Sequence, residues 1–121
     1  MQTTDWDREV DVAVIGSGGA ALTSAITAYE YGAKDVVILE KSGMVGGTTA
    51  MSGGMLWIPN NHHLFAAGYE DSFEDSVAYL DSLAPGEPET LMAFLEGGPE
   101  MLEFIENKTP VRMHVFDQFP D

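Results

Sequence analysis

The stretch VAVIGSGGAALTSAITAYEYGAKDVVILEK, Val12 to Lys41, decides the fold. With Val10 before it, the run Val12, Val14 and Ile15 is β-branched and shows little polar alternation, as expected of a strand covered on both faces. It stops at Gly16. Apolar residues then recur at helical spacing through Leu22, Ala25, Ile26 and Tyr29, and Gly32 fits the position just past a helix end. Asp35 to Glu40, DVVILE, reads as a second buried strand. A strand, a helix of about 14 residues and a strand make a βαβ unit with a right-handed crossover, here spanning residues 8–41. The fold class is therefore α/β, the N-terminal part of a Rossmann-like domain.

The turn GSGGAA places Gly16, Gly18 and Ala21 at the marked positions of G-x-G-x-x-G/A. Gly16 permits the tight turn out of the strand. Gly18 has no Cβ to keep a diphosphate from the helix N-terminus, where unpaired N–H groups and the macrodipole favour an anion. Ala21 is small enough for the helix to pack close to the strands. Glu40 stands 24 positions after Gly16, at the end of the second strand, where a carboxylate accepts hydrogen bonds from ribose hydroxyls. Strand, glycine turn, helix and distal acid together predict a dinucleotide site held mainly by backbone donors.

A carboxylate at Glu40 disfavours a 2′-phosphate, which sets NADP last. Between NAD and FAD the following segment decides. Residues 46–61, GGTTAMSGGMLWIPNN, bring a second cluster of glycines and hydroxyls soon after the ribose acid. Gly46, Gly47, Gly53 and Gly54 let main chain approach a ligand closely, and Thr48, Thr49 and Ser52 supply hydroxyls. Met55, Leu56, Trp57 and Ile58 behind them are expected to be buried. A second wall of this kind suits the longer cofactor, FAD, and residues 42–58 are read as a flavin-site loop.

The order of GSGGAA, LEKSG, GGTTAMSGG and WIPNN resembles the flavoprotein superfamily of fumarate reductase and succinate dehydrogenase. Within it the nearest likeness is to 3-ketosteroid Δ1-dehydrogenase and its relatives, with GGPEMLEFIENKTPVRM similar to the corresponding region. The resemblance implies that Gly16, Ser17, Gly18, Gly19 and Ala20 surround the diphosphate. It puts Glu40, Lys41 and Ser42 at the adenosine end, and Gly47, Thr48, Thr49, Ser52, Gly53 and Gly54 along the diphosphate and the approach to the flavin ring. Relatives with covalent flavin carry a His where this chain has Gly47, so the resemblance implies non-covalent FAD.

It also implies an oxidoreductase acting on a carbon–carbon bond beside a ketone, with a steroid or another enone-forming small molecule as substrate and with hydride passed to flavin. No catalytic residue is assigned within these 121 residues. Those of such an enzyme are expected beyond Asp121, along with a substrate domain, which makes this chain the N-terminal part of a longer protein. The alternatives are a fumarate reductase-like enzyme acting on a dicarboxylic acid, an NAD-dependent reductase, and a non-catalytic nucleotide-binding module.

Composition narrows the remaining classes. A formal charge of −15 argues against a basic nucleic-acid or membrane surface. There is no cysteine, hence no disulfide or thiolate chemistry within the chain. The opening residues do not resemble a signal peptide, and no apolar run reaches the roughly 18 residues of a membrane span. A cytoplasmic protein is the expectation.

Residues 60–108 are read as helical. Asn60 or Asn61 caps a short helix closed by Gly68, and Ser72 caps another carrying Phe73, Val77 and Leu80. Pro88 starts a third that ends at Gly97 and Gly98, and Pro99 starts a fourth. His62 and His63, adjacent and so about 100° apart on a helix, are read as solvent-facing caps with no metal between them. Glu96, Glu100, Glu103 and Glu106 are read as one solvated face. The segment VRMHVF, 111–116, is read as a strand or extended chain.

Overall fold

Strands β1 (Val12–Ile15) and β2 (Val36–Leu39) pair in parallel, Val12 opposite Val36 and Ile15 opposite Leu39, with helix α1 (Gly19–Glu30) between them in sequence. The computed structural model describes residues 5–116, which divide into a unit running to Met55 and a unit beginning at Leu56.

In the first unit α1 packs on both strands. Its C-terminus ends as the sequence predicts. Gly32 takes φ +108, and the N–H groups of Gly32 and Ala33 donate to Tyr29 and Ala28 carbonyls, closing the last turn in a Schellman motif. Asp11, just before β1, accepts from the N–H groups of Lys34 (2.7 Å) and Asp35 (3.0 Å), which fixes the entry to β2. Those two donors, Asp35 first, hold the Asp11 carboxyl below its ordinary value.

The strands are not covered on both faces. Val12 and Val14 are half-buried, but Ala13 and Ile15 are open, Ile15 with 77% of its surface exposed. Tyr29 on α1 is likewise exposed rather than buried. β-branching without polar alternation marks a strand whose second face is apolar; it does not show that anything within these residues covers that face.

The second unit holds α2 (His62–Ala66), α3 (Phe73–Leu83) and α4 (Pro88–Lys108). Asn61 is the α2 cap: its Oδ1 accepts from His63 (2.9 Å) and Leu64 (3.2 Å) N–H groups, while its Nδ2 donates to the Ile58 carbonyl. Gly68 closes α2 at φ +83, with a second Schellman pair from Gly68 and Tyr69 N–H groups to Phe65 and Leu64 carbonyls. Asn60 adopts φ 56, held there by its N–H on Asp71 and its Nδ2 on Ser76. Ser72 caps α3 through the Asp75 N–H. We expect Asn61→Ala to destabilise the protein by about 1 kcal/mol for the cap alone. The loss of the Ile58 contact adds to it. A urea midpoint equal to that of the parent would refute this role, and Asn61→Asp, which keeps the acceptor, should fall between the two.

The two helices expected on either side of Gly97–Gly98 are one. α4 runs continuously through Pro99. Proline there removes the hydrogen bond to the Leu95 carbonyl and costs about 3 kcal/mol in an ordinary helix interior. Opposing this, Leu95, Gly98 and Leu102 form one buried stripe crossing the proline. Each leucine contributes about 1.5–3 kcal/mol when fully buried. Gly98 is a contact surface, not a stop: a Cβ there would lie 3.2 Å from Ile58 Cγ2. Of the four apolar residues 55–58, only Ile58 is buried; Met55, Leu56 and Trp57 are exposed, and Trp57 rests against Tyr79 and Phe94.

At the end of α4, Arg112 Nη1 donates to the carbonyls of Glu106, Thr109 and Val111, where a cation offsets unpaired C=O groups. Residues 111–116 lie in no helix or strand. Residues 117–121, including Asp121, lie outside the described residues. No helix among the described residues is long and apolar enough to cross a membrane.

Candidate dinucleotide site

All the chemistry read from the glycine turn lies in the first unit, where two bends of main chain meet. The first begins as Gly16 leaves β1. Its N–H still donates to the Leu39 carbonyl (2.8 Å), and its φ of +90 then turns the chain away from the sheet. Gly18 is the N-cap of α1, with extended backbone and no side chain to occupy the cap. The second bend runs from Ser42 to Gly54. It turns at Gly46 (φ +109) and Gly47 (φ +51) into a single 3₁₀ turn, Thr49–Met51.

Ser17 joins the two. Its side chain, 1% exposed, donates to Glu40 Oε2 (2.5 Å) and accepts from the Gly46 N–H (2.9 Å). Glu40 accepts at its other oxygen from the Ser42 N–H (2.9 Å). One buried hydroxyl therefore connects the first bend, the acid after β2 and the start of the second bend. The Ser17 hydroxyl, then the Ser42 N–H, hold the Glu40 carboxyl below its ordinary value, which keeps it an acceptor at neutral pH.

A second link joins the glycines and Thr49. The Gly19 N–H donates to Thr49 Oγ1 (2.9 Å), so the hydroxyl of one bend caps the helix opened by the other. A Cβ on Gly47 would lie 3.4 Å from Gly18 Cα, so the two bends approach closely here.

What remains open is the space in front of the helix. A Cβ on Gly16 or Gly18 would meet no atom within 4 Å. The N–H groups of Ala20 and Ala21, in the first turn of α1, have no acceptor among the described residues. Two free donors at a helix start, beside an open glycine surface, have the chemistry that an anionic diphosphate needs. An acid with unused lone pairs at the end of β2 has that of a ribose partner.

Of the residues read from the sequence, the structure thus brings together Gly16, Ser17, Gly18, Gly19, Ala20, Glu40, Ser42, Gly47 and Thr49. Lys41 and Thr48 are exposed beside them. Ser52, Gly53 and Gly54 are exposed beyond the 3₁₀ turn, where the Ser52 hydroxyl bonds only locally, to the Thr49 carbonyl and the Gly54 N–H. Two roles escaped sequence reasoning. Ser17 points into the protein instead of toward the open space. Gly46, legible only as a small residue, gives its N–H to that serine, and a Cβ on it would lie 2.5 Å from Ala50 Cβ. The doublet Gly46–Gly47 is the one signal that marks it.

Comparison with known proteins gives the family. The sequence model of the FAD binding domain family matches residues 11–119. The chain is 46% identical to 4-oxocyclohexanecarboxylate 2-dehydrogenase of Sinomonas cyclohexanicum over 92% of its own length and 20% of that protein's. It is 44% identical to 3-oxosteroid 1-dehydrogenase of Mycobacterium tuberculosis over 88% of its length and 19% of that protein's. Among solved structures it is similar to 3-ketosteroid Δ1-dehydrogenase from Sterolibacterium denitrificans, in complex with 1,4-androstadiene-3,17-dione. That match has a TM-score of 0.74 and 40% identity, covering 81% of this chain and 17% of the other. The chain spans about one fifth of the length of the curated relatives it matches.

Proposed function

The chain belongs to the FAD binding domain family, and from that premise we propose that it holds the FAD of an oxidoreductase that dehydrogenates a ring carbon–carbon bond beside a ketone. The observation that carries the cofactor assignment is the pair of bends tied through Ser17, with open glycine surface and two free helix N–H groups in front of them. In this reading Gly16, Gly18, Gly19, Ala20 and Ala21 present main chain to the diphosphate. Glu40 accepts from the adenosine ribose, with Lys41 and Ser42 beside it. Gly47, Thr48 and Thr49 form the facing wall, and Ser52, Gly53 and Gly54 continue it toward the flavin ring.

FAD, when bound, supplies the hydride acceptor. The chain's own part is to bind and orient. Backbone donors neutralise the diphosphate in a protein whose net charge is −15, where side-chain cations are scarce. Binding is non-covalent in this reading, since Gly47 offers no nucleophilic imidazole.

The substrate class rests on the relatives' names, which describe a 3-oxosteroid and an oxocyclohexanecarboxylate. Both are ring ketones with acidic protons beside the carbonyl. A 3-ketosteroid is the preferred substrate. The test uses the full-length polypeptide that carries these residues. As purified it should show oxidised-flavin bands, and acid precipitation should release the flavin into the supernatant. Anaerobic addition of a saturated 3-ketosteroid should bleach the bands, and succinate should not. Bleaching by 4-oxocyclohexanecarboxylate alone would move the substrate to the small carboxylated ring. A protein that stays colourless after incubation with excess FAD would refute the cofactor assignment itself.

A further inference from the structure

The second unit contains a cluster of side chains that the flavin reading does not use. His62 and His63 open α2, and Glu106 lies in the last turn of α4. His62 Nε2 stands 3.0 Å from Glu106 Oε2, and His63 Nε2 stands 2.9 Å and 3.0 Å from Glu106 Oε2 and Oε1. Their rings lie against each other with centroids 4.1 Å apart. The solvent-facing caps expected from the sequence are not seen. Both imidazoles are half-buried, and the Glu106 side chain is only 13% exposed, unlike Glu96, Glu100 and Glu103 on the same helix. Successive helical residues diverge by about 100°, but these two occupy the first turn directly after the cap, and one carboxylate draws both rings together.

We propose that His62, His63 and Glu106 form a binding site for a divalent metal ion of the zinc class. Three observations converge on it. One ligand atom from each residue lies within 4.8 Å of the others, two imidazole nitrogens and a carboxylate oxygen, a donor set suited to zinc. Around a tetrahedral ion with bonds near 2.0–2.1 Å, neighbouring donors stand about 3.3 Å apart; each imidazole nitrogen stands 2.9–3.0 Å from a Glu106 oxygen. Glu106 is already oriented: the Met113 N–H donates to its Oε1 at 2.8 Å, the outer support that a ligating carboxylate requires.

The third observation is His62 Nδ1, which is buried and has no hydrogen-bond partner. With the proton on Nε2 and donated to Glu106, Nδ1 is an acceptor with nothing to accept. Metal at Nε2 requires that proton to move to Nδ1. That turns the orphan atom into a donor, and Glu103 Oε1 stands 4.0 Å away on an exposed side chain. The result is a carboxylate–histidine–metal arrangement, the usual second layer of such sites. The metal-bound tautomer gives the buried Nδ1 a proton to donate and a carboxylate to donate it to. A cleft of about 420 Å³ borders the cluster at His63, with Tyr69 and His114 in its lining. Coordination would clamp the start of α2 to the end of α4.

The experiment uses the full-length protein, stripped with a chelator and titrated with Zn²⁺ against a fluorescent zinc indicator. The parent should bind one more Zn²⁺ per chain than the double variant His62→Gln/His63→Gln, and Glu106→Gln should weaken that binding by more than about tenfold. Equal stoichiometry and affinity in parent and variants would overturn the site. Where the variants fail to fold, X-ray absorption at the zinc edge of the loaded parent decides. Scattering from two imidazoles at about 2.0 Å supports the assignment, and its absence overturns it.

Discussion

Gly18→Val should leave the polypeptide folded and colourless. The position is unusual in allowing both outcomes together. Gly18 has φ −68 and ψ 172, extended backbone that any L-residue adopts, and a Cβ there meets no protein atom within 4 Å. Folding is therefore little disturbed. The added isopropyl group fills the open space before the α1 N-terminus, and a diphosphate needs that same space to reach the free N–H groups of Ala20 and Ala21. Bound flavin should fall from about one per chain to less than about a tenth, with far-UV circular dichroism and the urea midpoint of the flavin-free protein unchanged. Gly46→Val is the contrasting variant. Its side chain would lie 2.5 Å from Ala50 Cβ at φ +109, so it should lose flavin through a disturbed fold, with the urea midpoint falling as well. A Gly18→Val protein with a full complement of flavin would end the assignment of the first bend to the diphosphate.

That contrast reflects what was legible in the sequence. Local signals carried faithfully. The turn at Gly16, the helix ends at Gly32 and Gly68, and the caps at Asn61 and Ser72 each depend on residues within four positions, and the structure has each of them. Signals whose outcome depends on distant partners did not carry. Pro99 reads as a helix start, yet the buried stripe of Leu95, Gly98 and Leu102 outweighs the lost hydrogen bond. His62 and Glu106 are 44 residues apart, so helix periodicity placed both in solvent and could not foresee that they meet. β1 and β2 look doubly covered because their side chains are apolar on both faces, while Ile15 and Leu39 stand open among the described residues. Two apolar strands with free edges are a pairing and aggregation liability, which is a reason to test every variant in the full-length polypeptide.

Ser17 shows the same limit inside the site, and its removal should have the second large effect. The glycine motif leaves the residue between Gly16 and Gly18 unspecified, and the likeness to flavoproteins put it beside the diphosphate. In the structure its hydroxyl is turned inward, bonded to Glu40 and to the Gly46 N–H. Ser17→Ala deletes both bonds without creating a clash. It strands the Gly46 N–H, at a cost of about 1–3 kcal/mol, and it frees Glu40 and the second bend to move apart. Flavin affinity should drop by more than about tenfold even where the variant is folded, since the acid and the facing wall lose their common anchor.

The pH dependence separates this from ordinary loss of packing. The Glu40 carboxyl in the folded protein lies below its ordinary value, first because of Ser17 and then because of the Ser42 N–H. A lowered folded value means that the charged form is favoured by folding. That stabilisation is fully present above the unfolded glutamate value of about 4.3 and is lost as pH falls through the folded one. Ser17→Ala removes the larger cause and brings the two values closer together, with the Ser42 N–H still in place. Parent and variant should therefore differ most in urea stability near neutral pH, and the difference should shrink to the pH-independent part left by the Gly46 N–H as the solution is taken below the ordinary carboxylate range. A difference that stays constant down to that range would show that the Ser17 hydroxyl does not stabilise the fold through Glu40, and a variant with parental stability and flavin affinity would show that the two bends are not joined through it.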